Sequence, residues 1–529
     1  MRKSKSLTYK ILSEWITFRK RMILEAFVVG IFAGAGVTLF RYILEKLSEV
    51  VKNIYVVLNT RHFWILGWAI VLIIVAYISG IILKKEPMIS GSGIPQVSGI
   101  VRGLLKVDWF KILFCKFLGG VLCIGSGLSL GREGPSIQLG AAIGQGISRF
   151  LKRFRVEEKY LITCGASAGL SAAFNAPLAG VVFALEELHK NFSPLVLVSA
   201  MISSLTADFV SSSFFGLKPL FDFSYLTPIP LDNYPYLIML GIIMGFMGFA
   251  FNMALLKTQG IYKKAKLKAE IKLLIPFLLS IFVGLFMPDA LGGGENVIRS
   301  LNNSNYGLFF VLTLLVVKFL FTMVSYGSGA PGGIFMPLLL IGALVGNIYG
   351  ICVSKFFHLN PRFIQDFAII AMAGNFAAIV KAPITGALLV TEMTGSFRHL
   401  LALSTVSILA YLTSEILRNK PIYEALLERL LENGYAKVER DEENKILFEV
   451  PVGVGSAIDG KRIKDIEWPS DCLLVSIRRG SSELIPRGET KILAGDYLVV
   501  LTNENKILDL NEELSIMASQ PTKLRDKKW

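Results

Sequence analysis

The chain has 529 residues; 53% are hydrophobic, only 18% are charged, and the formal net charge is +15. Mean hydropathy is +0.57, whereas soluble domains carry about 25% charged residues. These values argue against an ordinary cytosolic enzyme, a disordered chain or a secreted disulfide scaffold. A polytopic membrane protein is expected instead.

The charge is unevenly spread. Residues 436–529 hold 15 basic and 17 acidic side chains, and the first 435 residues hold 40 and 23. A charge-poor basic body therefore precedes a tail of soluble composition. The basic excess fits the collection of Lys and Arg in cytoplasmic loops, so it does not imply nucleic-acid binding. The five cysteines form no CxxC pair, and the four histidines are scattered. Neither pattern predicts a metal site or a cofactor.

In chain order, residues 1–21 form a basic segment with no cleavable signal pattern, expected in the cytoplasm. Residues 22–47 are long enough to span a bilayer, which takes about 20 apolar residues. Further apolar stretches fall near 62–83, 110–128, 134–151, 160–185, 193–216, 235–256, 272–288, 307–326, 333–357, 367–391 and 400–418. Many are broken by Gly or Pro, as expected of half-helices that end inside protein. The basic loops at 152–159 and 257–272 are expected in the cytoplasm. The membrane body should run from 22 to 435, with halves near 22–216 and 235–425. An α+β module should fill 436–517, followed by a basic tail at 518–529. The short β-type runs 446–452, 472–479 and 497–502 define that module, punctuated by Pro486, Gly488 and Gly495.

The two halves of the body repeat. A shift of 202 lays 116–144 on 318–346 with 11 of 29 residues identical, including Lys116/Lys318, Gly131/Gly333 and Pro135/Pro337. A shift of 206 then aligns 173–187 with 379–393, pairing Pro177 with Pro383 and Glu186 with Glu392. Matched Lys, Pro and Glu in one order indicate duplication. Transporters built from such repeats bind substrate near the membrane midplane. Spacing alone leaves open whether the repeats are parallel or inverted.

Three Gly/Pro motifs lie in apolar surroundings: GSGIPQ (91–96), GREGPS (131–136) and GAPGGIFMP (329–337). Each can start a helix, since proline suits the first turn. The free N–H groups at converging helix starts make an anion site without a full positive charge. Close packing through glycine is the plain alternative for any one motif. Three motifs, two of them related by the repeat, weaken that alternative. Glu133 at such a start could occupy the anion position itself and leave it when protonated.

These motifs, with GASAGLSAAFNAPLAGVVFALEE (165–187) and KPIYEAL (420–426), resemble the CLC family of chloride channels and chloride/proton antiporters over about 24–430. The resemblance implies an all-α membrane domain of two inverted repeats of broken helices, followed by a small α+β cytoplasmic domain. It also implies a homodimer in the lipid bilayer of the cell membrane, with one anion pathway per subunit and both termini cytoplasmic. Chloride and protons are the implied substrates. Carried over by motif, Ser92, Gly93, Ile94, Ile334, Phe335 and Tyr423 would form the anion site. Glu133 would be the external gate, supported by Gly131, Arg132, Gly134 and Pro135. Glu187 would be the internal proton acceptor, which favours antiport over a passive channel. Serine at 92 goes against a fluoride exporter. Gln96 stands where many members have glutamate, outside the anion-coordinating groups.

Residues 440–505 resemble an RCK C-terminal domain of the TrkA-C type, through GSAIDGKRIKDI (455–466) and the run 476–501. That resemblance implies dimerisation and regulation by a small ligand such as a cyclic dinucleotide. Arg478, Arg479 and Arg487 are candidate contacts for it. A potassium-transport role would need a TVGYG-type filter, which the sequence lacks. GASAG (165–169) fits a hydrolase elbow, and GSAIDGKR (455–462) is one residue from a P-loop. Neither has the expected strand-to-helix setting.

Overall fold

The computed structural model describes residues 7–190, 194–221, 223, 226, 228–301, 306–432, 445–470, 472–480, 482–503 and 507–519. The boundary expected at 435/436 and the basic tail from 520 onward lie outside these residues. The chain divides into two compact units, Met1–Lys437 and Val438–Trp529.

The first unit is helical. Among the described residues, nine helices are long and apolar enough to cross a membrane. Their burial is graded. Trp64–Lys85 is only 22% buried over its apolar window and exposes Ile70, Ile73, Ile74 and Tyr77. Pro361–Val380 is 89% buried. An apolar helix with an uncovered apolar face suits contact with lipid. The buried helices, by contrast, are lined with small residues that let backbones approach closely. Gly140 and Gly165 show how closely: a Cβ on either would lie 2.1 Å from the other's carbonyl oxygen.

Two of the expected apolar stretches prove to be broken helices. Residues 160–185 split into Arg155–Phe174 and Pro177–Phe183, and residues 367–391 split into Ile364–Val380 and Pro383–Thr394. The breaks are equivalent in the repeat. Asn175 and Lys381 both end the first piece in the left-handed region, with φ of 53° and 65°, and Pro177 and Pro383 begin the second. Proline sets the φ of a first turn and has no N–H to leave unpaired.

A local two-fold relation between the halves shows in the hydrogen bonds. The repeat mates Gly131 and Gly333 meet in an antiparallel bridge, with N–H donated each way at 2.8 and 2.7 Å. The axis must therefore pass between them. Around it, Lys116 donates to the carbonyls of Ile89 and Gly91, while Lys318 donates to those of Ala290 and Gly292. Gly91 N–H bonds Gly329 carbonyl, and Gly292 N–H bonds Gly127 carbonyl.

The broken helices cap one another across the halves. Glu392 accepts from the N–H groups of Leu178 (3.1 Å) and Ala179 (2.7 Å) at the start of Pro177–Phe183. Its mate Glu186 accepts from Thr385 N–H (2.9 Å) and hydroxyl (2.6 Å) at the start of Pro383–Thr394.

The second unit is a four-stranded antiparallel sheet with one helix. Strands β1 (Lys445–Pro451), β2 (Cys472–Arg479), β3 (Ser482–Leu484) and β4 (Asp496–Asn503) lie in the order β1-β4-β2-β3. Val450, Ile477, Leu498 and Val500 form a core with Leu510, Leu514 and Met517 of helix Ile507–Ser519. The short strand β3 has no apolar signal in the sequence and forms by pairing back on β2.

The reciprocal caps make a specific prediction. Glu186→Ala and Glu392→Ala should each destabilise the folded protein by about 1–3 kcal/mol, the cost of leaving buried N–H groups unpaired. Glu→Gln at either position keeps an acceptor and should cost less. Thermal unfolding in detergent reads both effects, and equal melting of Ala and Gln variants would contradict the capping role.

Candidate functional site

Three helix starts meet beside the Gly131–Gly333 bridge. Helix Ile94–Val101 begins after Gly93, whose φ of 93° places it in the left-handed region. Helices Glu133–Phe150 and Phe335–Phe357 begin on either side of the axis. All three arise from the Gly/Pro motifs of the sequence. Their approach is tight: a Cβ on Gly134 would lie 2.3 Å from Ser92 Oγ, and one on Gly93 would lie 2.4 Å from Gln138 Oε1. Pro135 sits in the first turn of the Glu133 helix, and Ile94 is fully buried.

Glu133 is fully buried, and its carboxylate Oε1 accepts the N–H of Met336 at 3.1 Å. The N–H of Phe335 precedes that of Met336 in the same first turn and acts on the same carboxyl group. The carboxylate therefore sits on the free amides at the start of the Phe335 helix, where an anion would be held. The sequence reading set the Ile334 and Phe335 amides at the anion held by Ser92. Ile334 occupies the N-cap position of this helix, and Met336, which that reading did not name, supplies the amide that Glu133 accepts. Cβ atoms on Gly131 or Gly333 would lie 2.2 or 2.5 Å from the Glu133 carboxylate, so both glycines make room for it.

Below this seat, Ser92 and Tyr423 are buried and near each other. Neither Ser92 Oγ nor Tyr423 OH has a hydrogen-bond partner among the described residues. Two desolvated hydroxyl donors of this kind can be satisfied together by one acceptor, such as a monovalent anion. Tyr326, which no motif reading singled out, accepts the Ser92 N–H at 3.4 Å. Gln96 turns away and donates to Ser90 carbonyl at 2.9 Å.

Arg132 is not free to pair with Glu133. Its guanidinium lies 3.0 Å from Glu45 and 3.3 Å from Glu295. Glu187 is buried on the π-helical turn Ala184–His189, which follows Pro177–Phe183 directly. π-turns add one residue per turn and often mark functional positions. The equivalent segment of the other half stays α-helical to Thr394. Glu186 and Glu187 thus face different ways: the first caps the other half, and the second meets the charges of Lys190, Glu424 and Arg102. Glu424 lies outside the candidate spans. Partial burial works to raise its pKa, but Lys190 and Arg102 outweigh that and hold it below the ordinary range.

Two of the three tail arginines have carboxylate partners within the domain. Arg479 makes a bidentate pair with Asp496 at 2.7 and 2.8 Å and bonds Lys491 carbonyl. Arg478 pairs with Glu449 at 3.0 Å and lies over the Tyr497 ring. Burial would raise the Asp496 carboxyl, yet Arg479 and the Leu493 N–H keep it below its usual range. The guanidinium groups already serve neighbouring carboxylates, which sequence alone could not reveal. No ion pair engages Arg487 among the described residues. The two decoys also resolve: GASAG lies inside helix Arg155–Phe174, and GSAIDGKR lies in turns.

A sequence profile described as voltage gated chloride channel matches residues 74–415. The chain belongs to the CLC family. The TrkA-C domain profile matches 447–515, so this member carries a TrkA-C domain after its membrane body. The chain is 34% identical over 424 residues to the H(+)/Cl(-) exchange transporter ClcA of Citrobacter koseri, covering 78% of this chain and 89% of that protein. It is likewise 34% identical over 431 residues to ClcA of Vibrio cholerae, covering 77% and 89%. Among solved structures, a slow cyanobacterial Cl-/H+ antiporter matches with a TM-score of 0.75 and 32% identity over 78% of this chain and 98% of that one. A CLC-type fluoride/proton antiporter matches with a TM-score of 0.63 and 26% identity over 76% and 97%. This CLC chain is thus a multi-pass membrane protein of a transporter family.

Gly134→Ala offers a test of the anion site. The added methyl must displace Ser92, so halide affinity measured by titration calorimetry should fall at least about tenfold, equivalent to ~1.4 kcal/mol. Unchanged affinity in a monodisperse variant would remove Ser92 from the site.

Proposed function

We propose that this protein is a chloride/proton antiporter of the cell membrane. It works as a homodimer, with one anion pathway in each subunit and both termini in the cytoplasm. The observation that carries the reading is the Glu133 carboxylate seated at the open start of the Phe335 helix, where the Met336 N–H donates to it. A carboxylate and a chloride cannot share that seat. Protonation removes the charge that holds Glu133 there, and an incoming chloride takes its place. Anion occupancy and the ionised form of one residue are then alternatives, so chloride entry and proton uptake are coupled, which is the elementary requirement for exchange. Backbone amides suit the task, because they bind an anion without the grip of a full charge.

Exchange also needs a proton route that leaves the anion path. Glu187, buried on the π-turn, supplies its inner end. Ser92 itself supports chloride as the anion rather than fluoride. The ClcA relatives and the cyanobacterial structure, named for H+/Cl- exchange, support the same reading.

The decisive experiment uses purified protein in liposomes with a chloride gradient as the sole driving force. Uphill proton movement is expected. Glu187→Ala should abolish it while chloride still moves. Chloride flux without proton movement in the unaltered protein would instead make it a passive channel.

The reading further gives the TrkA-C domain a regulatory role, through a phosphate-bearing ligand of the cyclic-dinucleotide class. Arg478 and Arg479 would have to exchange a carboxylate for such a ligand, whereas no ion pair engages Arg487 among the described residues. Adding cyclic dinucleotides to the flux assay should change the chloride rate, and Arg487→Gln should blunt the change. Flux indifferent to every nucleotide tried would remove this role.

A further inference from the structure

Tyr423 and Glu424 are consecutive residues in the first turn of helix Ile422–Glu432. Tyr423 is buried beside Ser92, whereas the Glu424 side chain is 33% exposed and faces another way. One oxygen of Glu424, Oε1, accepts from Lys190 Nζ and lies 3.5 Å from Arg102 NH2. Lys190 ends the turn that carries Glu187, with a left-handed φ of 51°. Arg102 ends the helix Ile94–Val101 that starts next to Ser92. A single carboxylate therefore ties together the ends of the tyrosine helix, the serine helix and the Glu187 turn. The fourth charge acting on Glu187, that of Glu186, is already committed to Thr385.

We propose that Glu424 is a positioning residue that makes opening at Tyr423 and charging of Glu187 one event. This proposal rests on the antiport reading above. The first turn of a helix moves as a unit, so a displacement that draws Tyr423 off the anion path carries Glu424 with it. Lys190 then loses its carboxylate partner. Glu187, three residues earlier in the chain, is the other acid whose charge it shares. An unpaired ammonium nearby favours the ionised form of a carboxyl group. With the tyrosine closed, Glu424 holds Lys190, and Glu187 keeps its proton. With the tyrosine open, Lys190 turns to Glu187, and the proton leaves. Anion passage on the inner side and proton release from Glu187 are thereby linked without contact between the two ions.

The bland alternative is a surface ion pair of no consequence, since such pairs contribute about 0–1 kcal/mol. The measurement that separates the two is the number of protons moved per chloride in liposomes driven by chloride alone. Glu424→Gln and Lys190→Gln should each lower that ratio by about two- to five-fold, the range of a partly exposed pair. The double variant should be no worse than either single one, because both remove the same link. Lys190→Arg should restore the ratio. A purely structural role would slow both ions together and leave the ratio alone, and that result would overturn the proposal. An unchanged ratio in both single variants would overturn it too, while leaving antiport intact. Absence of proton movement in the unaltered protein would overturn the antiport reading and this proposal with it.

Discussion

A helix that stops inside a bilayer leaves amides at one end and carbonyls at the other with no water to meet them. Each such group is costly unless protein supplies a partner. This chain breaks its helices repeatedly at membrane depth, and its architecture follows from how those ends are satisfied. Buried Lys116 and Lys318 each gather two loop carbonyls. Glu186 and Glu392 each cover the amides of the other half. One set of amides, at the start of the Phe335 helix, is met by the side chain of Glu133. That set differs from the other carboxylate caps in its surroundings: the helix that Glu133 begins packs directly against Ser92, whose hydroxyl has no partner among the described residues.

The same requirement explains why the two halves cannot be separate modules. Neither Pro177–Phe183 nor Pro383–Thr394 is capped by its own half. Each half also lends a glycine to the bridge on the axis. The duplication therefore yields one interlocked body, and the interlock falls beside the anion site. Rigidity there is useful, because weak donors discriminate only if they stay where they are.

Much of this was legible in the sequence because membrane half-helices announce themselves through Gly and Pro. The repeat was readable from Lys116/Lys318 and Glu186/Glu392, and the different fates of Glu186 and Glu187 followed from the missing mate at Met393. The donor at Met336 was not legible. Which amide faces a site depends on where the N-cap falls, and the glycines before it permit more than one position. The carboxylate partners of Arg478 and Arg479 were not legible either, because exposed-looking arginines give no sign of acids that folding brings beside them. Glu424 drew no notice for a similar reason. Its partners Lys190 and Arg102 lie more than 200 residues away, and an acid near the end of an apolar run reads as solvated. The position beside Tyr423 was the one available hint.

The axis between Gly131 and Gly333 carries one more consequence. Shift Glu133 by the repeat and it lands on Phe335. Two identical halves would thus bring two carboxylates to the same few ångströms. Like charges that close cannot both ionise, and one would remain neutral. A perfectly self-paired ancestor would have been frustrated at its own centre. A phenyl ring at 335, tilted against Phe174 and Phe376 with centroids 5.5 and 4.7 Å away, avoids that conflict. It also gives the molecule a sense of inside and outside. Together with Glu187 facing Met393, the divergence of this residue pair sets the two halves of a repeated fold apart.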